Sequence, residues 1–502
     1  MNHNLYQRIA ATFENAAEKT CIRTSRGDWT YERLRKRVEG TAGALCRAGV
    51  GAGDRVLVQA GKCPESLALY LSCLQIGAVY VPLNTAYTER ELQYFVEDTE
   101  PSLIVLESRL NSSGKIPCSV WTIDDSGHGT LNDHVANATS IRGVAQVAED
   151  DIAAILYTSG TTGRSKGAML THGNLESNAD VLIDYWGWES TDVLLHVLPI
   201  YHVHGLFVAI HCVLLTGTEM IWHERFDSDR VVADLSDSTV LMGVPTHYTR
   251  LLNHSTFERK CVRNMRVFIS GSAPLSAKTF HEFEKRTGLR ILERYGMSET
   301  LMNTSNPLNG ERVAGTVGFP LPDVQLRVTN SSGQPQTYGE IGQIELKGPN
   351  VFNGYWRMPD RTALDFTSDG YFKTGDVGFQ DAKGRVSIVG RDKDVIISGG
   401  LNVYPVEVED AIEQMEVVLE AAVIGAPHAD FGEGVVAVVV ANQPISLATI
   451  DSFLDSRLAR FKHPKALCQV ESLPKNAMGK IQKNVLRERL TGIFSNSQSA
   501  HQ

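Results

Sequence analysis

The run YTSGTTGRSKG, Tyr157 to Gly167, packs glycine, hydroxyl side chains and a lysine into one short stretch. Small residues let backbone N–H groups come close to an anion, and Ser and Thr hydroxyls add donors. Thr158, Ser159, Gly160, Thr161, Thr162 and Gly163 offer that surface, and Lys166 adds a mobile positive charge. The Walker loop needs Gly, four residues, then Gly-Lys-Ser/Thr. Here Ser165 stands before Lys166 and Gly167 follows it. The run is either a phosphate loop of another kind or a Ser/Gly-rich turn after a strand.

The elements around it read as alternating strands and helices. RVLVQ (55–59) is a buried strand, and ESLALYLSCLQIG (65–77) has helical apolar spacing up to Gly77. VYVPLN, SLIVLE, DIAAILYTSG, TVLMGVP and RVFISGSAP repeat the strand signal, the last three running into turns. Such a succession predicts an α/β fold with mostly parallel sheets. From about residue 325 the texture changes to short strands joined by Gly-rich turns. Charged residues then precede an apolar strand, a Gly-Gly turn and a helix. The expected division is 1–390, a hinge at 391–393, and a small α+β domain over 394–502.

The bulk numbers exclude little and fit a globular chain. With 502 residues, more than one domain is expected. A net charge of −10 argues against nucleic acid or an anionic membrane as partner. The eight cysteines form no CxxC pair and no zinc spacing, which fits inert thiols in a reducing compartment. The first residues lack the apolar core of a signal peptide, and their acidic residues count against a transit peptide. The longest apolar run, VVAVVVA (435–441), is too short to span a bilayer. The cytoplasm is the expected location.

Six ordered motifs resemble the adenylate-forming superfamily of acyl-CoA synthetases, luciferases and adenylation domains. Beyond the glycine loop these are LPIYHVHGL, ISGSAPL with ERYGMSET, FKTGD, GRDKDVIISGGLNVYP and PKNAMGKIQK. The resemblance implies a large N-terminal domain of mostly parallel sheets with flanking helices and a small β-barrel-like part, plus a mobile C-terminal domain. It implies ATP, Mg²⁺ and CoA as partners in a two-step ligation. The loop would grip the β- and γ-phosphates while a carboxylate attacks the α-phosphorus. Glu299, with Thr158, would hold Mg²⁺. Ser272, Ala273, Pro274, Glu293 and Tyr295 would surround adenine, and Asp376 with Arg391 would take the ribose. Lys480 would meet the attacking carboxylate and the α-phosphate. Lys393 would be the hinge, and Gly399 and Gly400 would line the CoA tunnel after a rotation. In resembling bacterial enzymes such a lysine as Lys480 is a target of a lysine acetyltransferase.

The acid itself is read mainly from Arg294. Many members of the superfamily carry Gln-Gly before the YGMTE stretch, and the glycine leaves room for the acyl group. Here LERYGMSET puts Arg294 in that glycine's place. A guanidinium in the pocket disfavours an apolar tail and favours a second carboxylate. The surrounding segments resemble the malonyl-CoA synthetases, so a small dicarboxylic acid is expected: malonate first, methylmalonate second. The alternative is that Arg294 turns outward to pair with Glu293 on the surface. His202 and Met297 would close the pocket, with Arg250 a lesser candidate for the same carboxylate. Another short acid, or a carrier protein in place of CoA, remains open.

Overall fold

In the computed structural model of the chain, residues 2–108, 118–158, 165–476 and 479–494 are described. The first sheet has six strands in the order Ser119–Thr122, Leu103–Leu106, Arg55–Gln59, Val79–Pro82, Ile152–Thr158, Lys166–Thr171. All pair in parallel except the last two. A second, nine-stranded sheet is parallel through Leu292–Met297, Val267–Ser270, Val240–Gly243, Val193–His196, Glu219–Trp222 and Thr20–Arg23. Antiparallel strands close both its edges.

The helix Pro64–Ile76 shows why the two sheets share a core. Every residue from Ser66 to Ile76 is buried, so the helix has no solvent face. A helix apolar all round belongs between layers. Pro64 starts it, where a missing N–H costs nothing, and Gly77 stops it with φ +72°. Its Leu67, Leu71 and Leu74 join one core cluster with Val56 of the first sheet and Ile269 of the second.

Beyond residue 320 the sheets are smaller. Gln325–Thr329, Gly342–Lys347, Phe372–Gln380 and Val386–Arg391 form a four-stranded antiparallel sheet. The last sheet has five strands around Gly432–Ala441, whose Val435 to Val439 are all fully buried. Its apolar residues form clusters separate from the main core. Among the described residues, no helix is long and apolar enough to cross a membrane.

Candidate functional site

Ligands of open α/β sheets gather at the carboxyl ends of parallel strands. Two such ends meet here. Ile152–Thr158 in the first sheet delivers Thr158, and the turn after Leu292–Met297 in the second delivers Glu299. The Thr158 hydroxyl lies 3.5 Å from Glu299 Oε1, to which Tyr355 Oη also donates at 3.2 Å. Glu299 is buried. Beside it, Lys166 Nζ sits 4.1 Å from the Tyr355 ring centre and 3.5 Å from Asp365 Oδ2. Burial pulls the Lys166 pKa down, with Asp365 opposing. Ser159, Gly160, Thr161, Thr162 and Gly163 lie outside the described residues.

A second group joins strand Leu292–Met297 to the four-stranded sheet. Tyr295 Oη donates to Asp376 Oδ2, and Arg391 Nε donates to Asp376 Oδ1 at 2.7 Å. Each carboxylate oxygen keeps a further lone pair for another donor. Glu293 Oε1 accepts the Leu275 N–H at 3.0 Å, while its Oε2 is buried without a partner. Burial pushes the Glu293 carboxyl up to about 8, the Leu275 N–H opposing and Asp410 adding to it. Ser272, Ala273 and Pro274 form the turn after Val267–Ser270, and Ser272 holds a left-handed φ of +70°.

Between these groups lies Arg294, 2% exposed. The surface pair with Glu293 does not form, because strand Leu292–Met297 buries both residues. Arg294 Nε and Nη2 have no hydrogen-bond partner. The guanidinium lies flat against Gly271, where an added Cβ would stand 2.5 Å from its Cζ. Burial lowers its pKa to about 9, which leaves it a cation at neutral pH. A buried cation with unused donors is costly unless an anion joins it.

His202 and His204 both feel that cation. The segment is not extended: His202 stands at a bend, and a π-helix runs over His204–Ala209. Gly205 permits the tight fold: a Cβ on it would stand 2.0 Å from the Pro199 carbonyl oxygen. Burial, then Arg294, then Lys480 bring the His202 pKa down to about 4, so its ring is neutral. His204 Nδ1 lies 3.3 Å from Ser272 Oγ, and its Nε2 is buried without a partner. Met297 ends strand Leu292–Met297, partly buried against the main core. Arg250 does not join the pocket. Helix Pro245–Leu252 turns His247, Tyr248 and Leu251 inward and leaves Arg250 exposed, 6.0 Å from the Phe226 ring.

Lys480 reaches this site from the last sheet's side of the molecule. Its N–H donates to Asn476 Oδ1 at 3.0 Å, and its carbonyl accepts from the Asn476 N–H at 2.9 Å. Lys480 is itself exposed; the protein crowded around its ammonium lowers its pKa, Arg391 adds to that, and Asp376 and Asp394 oppose it. Lys393 lies in the short 3₁₀ turn Asp392–Asp394. Gly399 and Gly400 are not brought to the cluster. They form an exposed left-handed turn packed near Phe431. Sequence reasoning missed Tyr355 and Asp365, which stand far along the chain from Glu299 and Lys166 and sit in no motif.

A family model described as AMP-binding enzyme matches residues 9–356, and one described as AMP-binding enzyme C-terminal domain matches residues 407–480. A malonate–CoA ligase of Arabidopsis thaliana is 34% identical over 87% of this chain and 78% of its own length. A long-chain-fatty-acid–CoA ligase of Bacillus subtilis is 33% identical over 88% of this chain and 87% of its own length. The crystal structure of ATP-bound MatB from Rhodopseudomonas palustris superposes with a TM-score of 0.96 at 49% identity, covering 98% of this chain and all of that one.

Proposed function

The chain belongs to the AMP-binding enzyme family, and we propose that it is an ATP-dependent ligase joining malonate to CoA, with methylmalonate as a second substrate. Relatives of similar identity act, by their names, on malonate and on long-chain fatty acids. Identity alone therefore does not choose the acid; the pocket does. The observation that carries the choice is Arg294, buried with Nε and Nη2 unpartnered. A second carboxylate fits those donors, and an apolar tail does not.

In this reading one malonate carboxylate attacks the α-phosphorus of ATP and pyrophosphate leaves. The CoA thiol then attacks the malonyl-adenylate and AMP leaves. A carboxylate has oxide as its only leaving group; adenylation replaces that with a stable anion. The protein positions the reactants and neutralises charge. Lys166 meets the phosphates and Lys480 meets the attacking carboxylate and α-phosphate. Glu293 Oε2 accepts from the adenine amine, Tyr295 lies against the base, and Asp376 with Arg391 takes the ribose. Glu299 and Thr158 suit Mg²⁺, which favours carboxylate and phosphate oxygens and would offset phosphate charge.

The test is a product analysis over an acid panel. Malonate with ATP and CoA should release AMP and pyrophosphate, and acetate, butyrate and coumarate should be poor substrates. Release of ADP and phosphate would reject a ligase of this class. Adenylate formation without thioester would point to a carrier protein in place of CoA. Preference for a monocarboxylate would reject the reading of Arg294.

A further inference from the structure

Lys62 is 6% exposed, in the turn between strand Arg55–Gln59 and helix Pro64–Ile76. Its ammonium donates to the carbonyl oxygens of His196 at 2.9 Å and His223 at 2.6 Å. It also lies 4.6 Å from the Trp222 ring centre. No described carboxylate forms an ion pair with it; burial pushes its pKa well down, and Glu224 opposes that only from a distance. Burying an ammonium without a carboxylate is unfavourable. A methionine would fill the same space without that cost, so a buried amine here needs a further reason.

The bonds it makes supply one. His196 and Trp222 end two adjacent parallel strands of the large sheet, in register with each other. Lys62 caps both ends from the opposite sheet. The His196 ring then donates from Nε2 to the Gly205 carbonyl oxygen at 2.9 Å and stacks on Trp222. Gly205 lies in the π-helix that begins at His204 and follows His202. We propose that Lys62 is a positioning residue for the acyl pocket: it fixes His196, and His196 fixes the turn that sets His202 and His204 against Arg294. This rests on reading the Arg294 pocket as the acyl site.

Kinetics of Lys62→Met and His196→Phe, alone and combined, test it. The wild-type acid panel comes first, and each variant is assayed with the acid that the wild type prefers. If that acid is not malonate, the substrate reading fails while the Lys62 test still runs. Each single variant should raise KM for the acid by about tenfold and change KM for ATP by no more than about twofold. The double variant should lose little more than the worse single one, since both act on one turn. If Lys62→Met does not fold, His196→Phe, which keeps the ring stack, carries the same split between acid and ATP. An unchanged KM for the acid, an equal rise in both KM values, or full additivity would overturn the proposal.

Discussion

The guanidinium of Arg294 and the missing side chain of Gly271 are two halves of one feature. A Cβ on Gly271 would stand inside the guanidinium, so the glycine makes room for a cation the pocket leaves unpaired. Arg294→Gly should cost malonate turnover ~2–5 kcal/mol in transition-state terms, the range for losing one partner of a buried charge pair. Steady-state kcat/KM with malonate measures it, and full malonate activity in the variant would rule out the pairing. Lys at this position should rescue only part, because an ammonium cannot bond a carboxylate through two parallel donors. Arg294 was legible because it replaces a glycine inside a recognisable stretch. Lys62 was not: a single lysine in AGKCPE reads as a surface charge, and only the fold shows that it is buried.

Elements explain where the sequence reading held and where it broke. Strand Arg55–Gln59 and the helix stopped by Gly77 were written in local pattern. The shape of the segment YHVHGL was not legible because a π-helix has no simple apolar period, and Gly205 reads as a breaker when its purpose is close approach to Pro199. The turn Asp392–Asp394 carries information that no motif spelled out. Gln343 Nε2, on the four-stranded sheet, donates to Asp392 Oδ1 at 2.8 Å. Arg487 Nη2, on the last helix, donates to Asp394 Oδ1 at 2.7 Å. Lys393 lies between these two clamps, and we propose it as the pivot of a domain rotation. Lys393→Pro should leave adenylate formation within a few-fold of wild type and slow thioester formation by about tenfold or more, since proline fixes φ. Lys480→Ala should do the reverse. Pyrophosphate exchange and thioester release from preformed adenylate separate the steps, and equal loss of both in both variants would refute the pivot.

At the scale of the whole molecule, the last domain is oriented so that Lys480 feels the charges of Asp376 and Arg391. Two contacts among the described residues face that orientation directly. Lys278, on helix Ala277–Thr287, donates to the Val418 carbonyl oxygen at 2.8 Å and reaches that of Met415 at 3.5 Å. Gly479, with φ +72°, packs so tightly on helix Pro245–Leu252 that a Cβ would stand 2.6 Å from Thr246 Oγ1. Neither contact touches the strands that build the nucleotide site. Breaking them should therefore weaken the orientation and leave the site intact. Lys278→Ala removes hydrogen bonding from a charged donor near the surface, which contributes about 1 kcal/mol or roughly fivefold in rate. Gly479→Ala adds backbone strain to a steric clash and should cost more. Both variants should slow pyrophosphate exchange. Thioester formation from preformed malonyl-adenylate should hold or rise, because that step no longer competes with the orientation these contacts favour. A matching fall in the second step would mean that Lys278 and Gly479 support the fold at large.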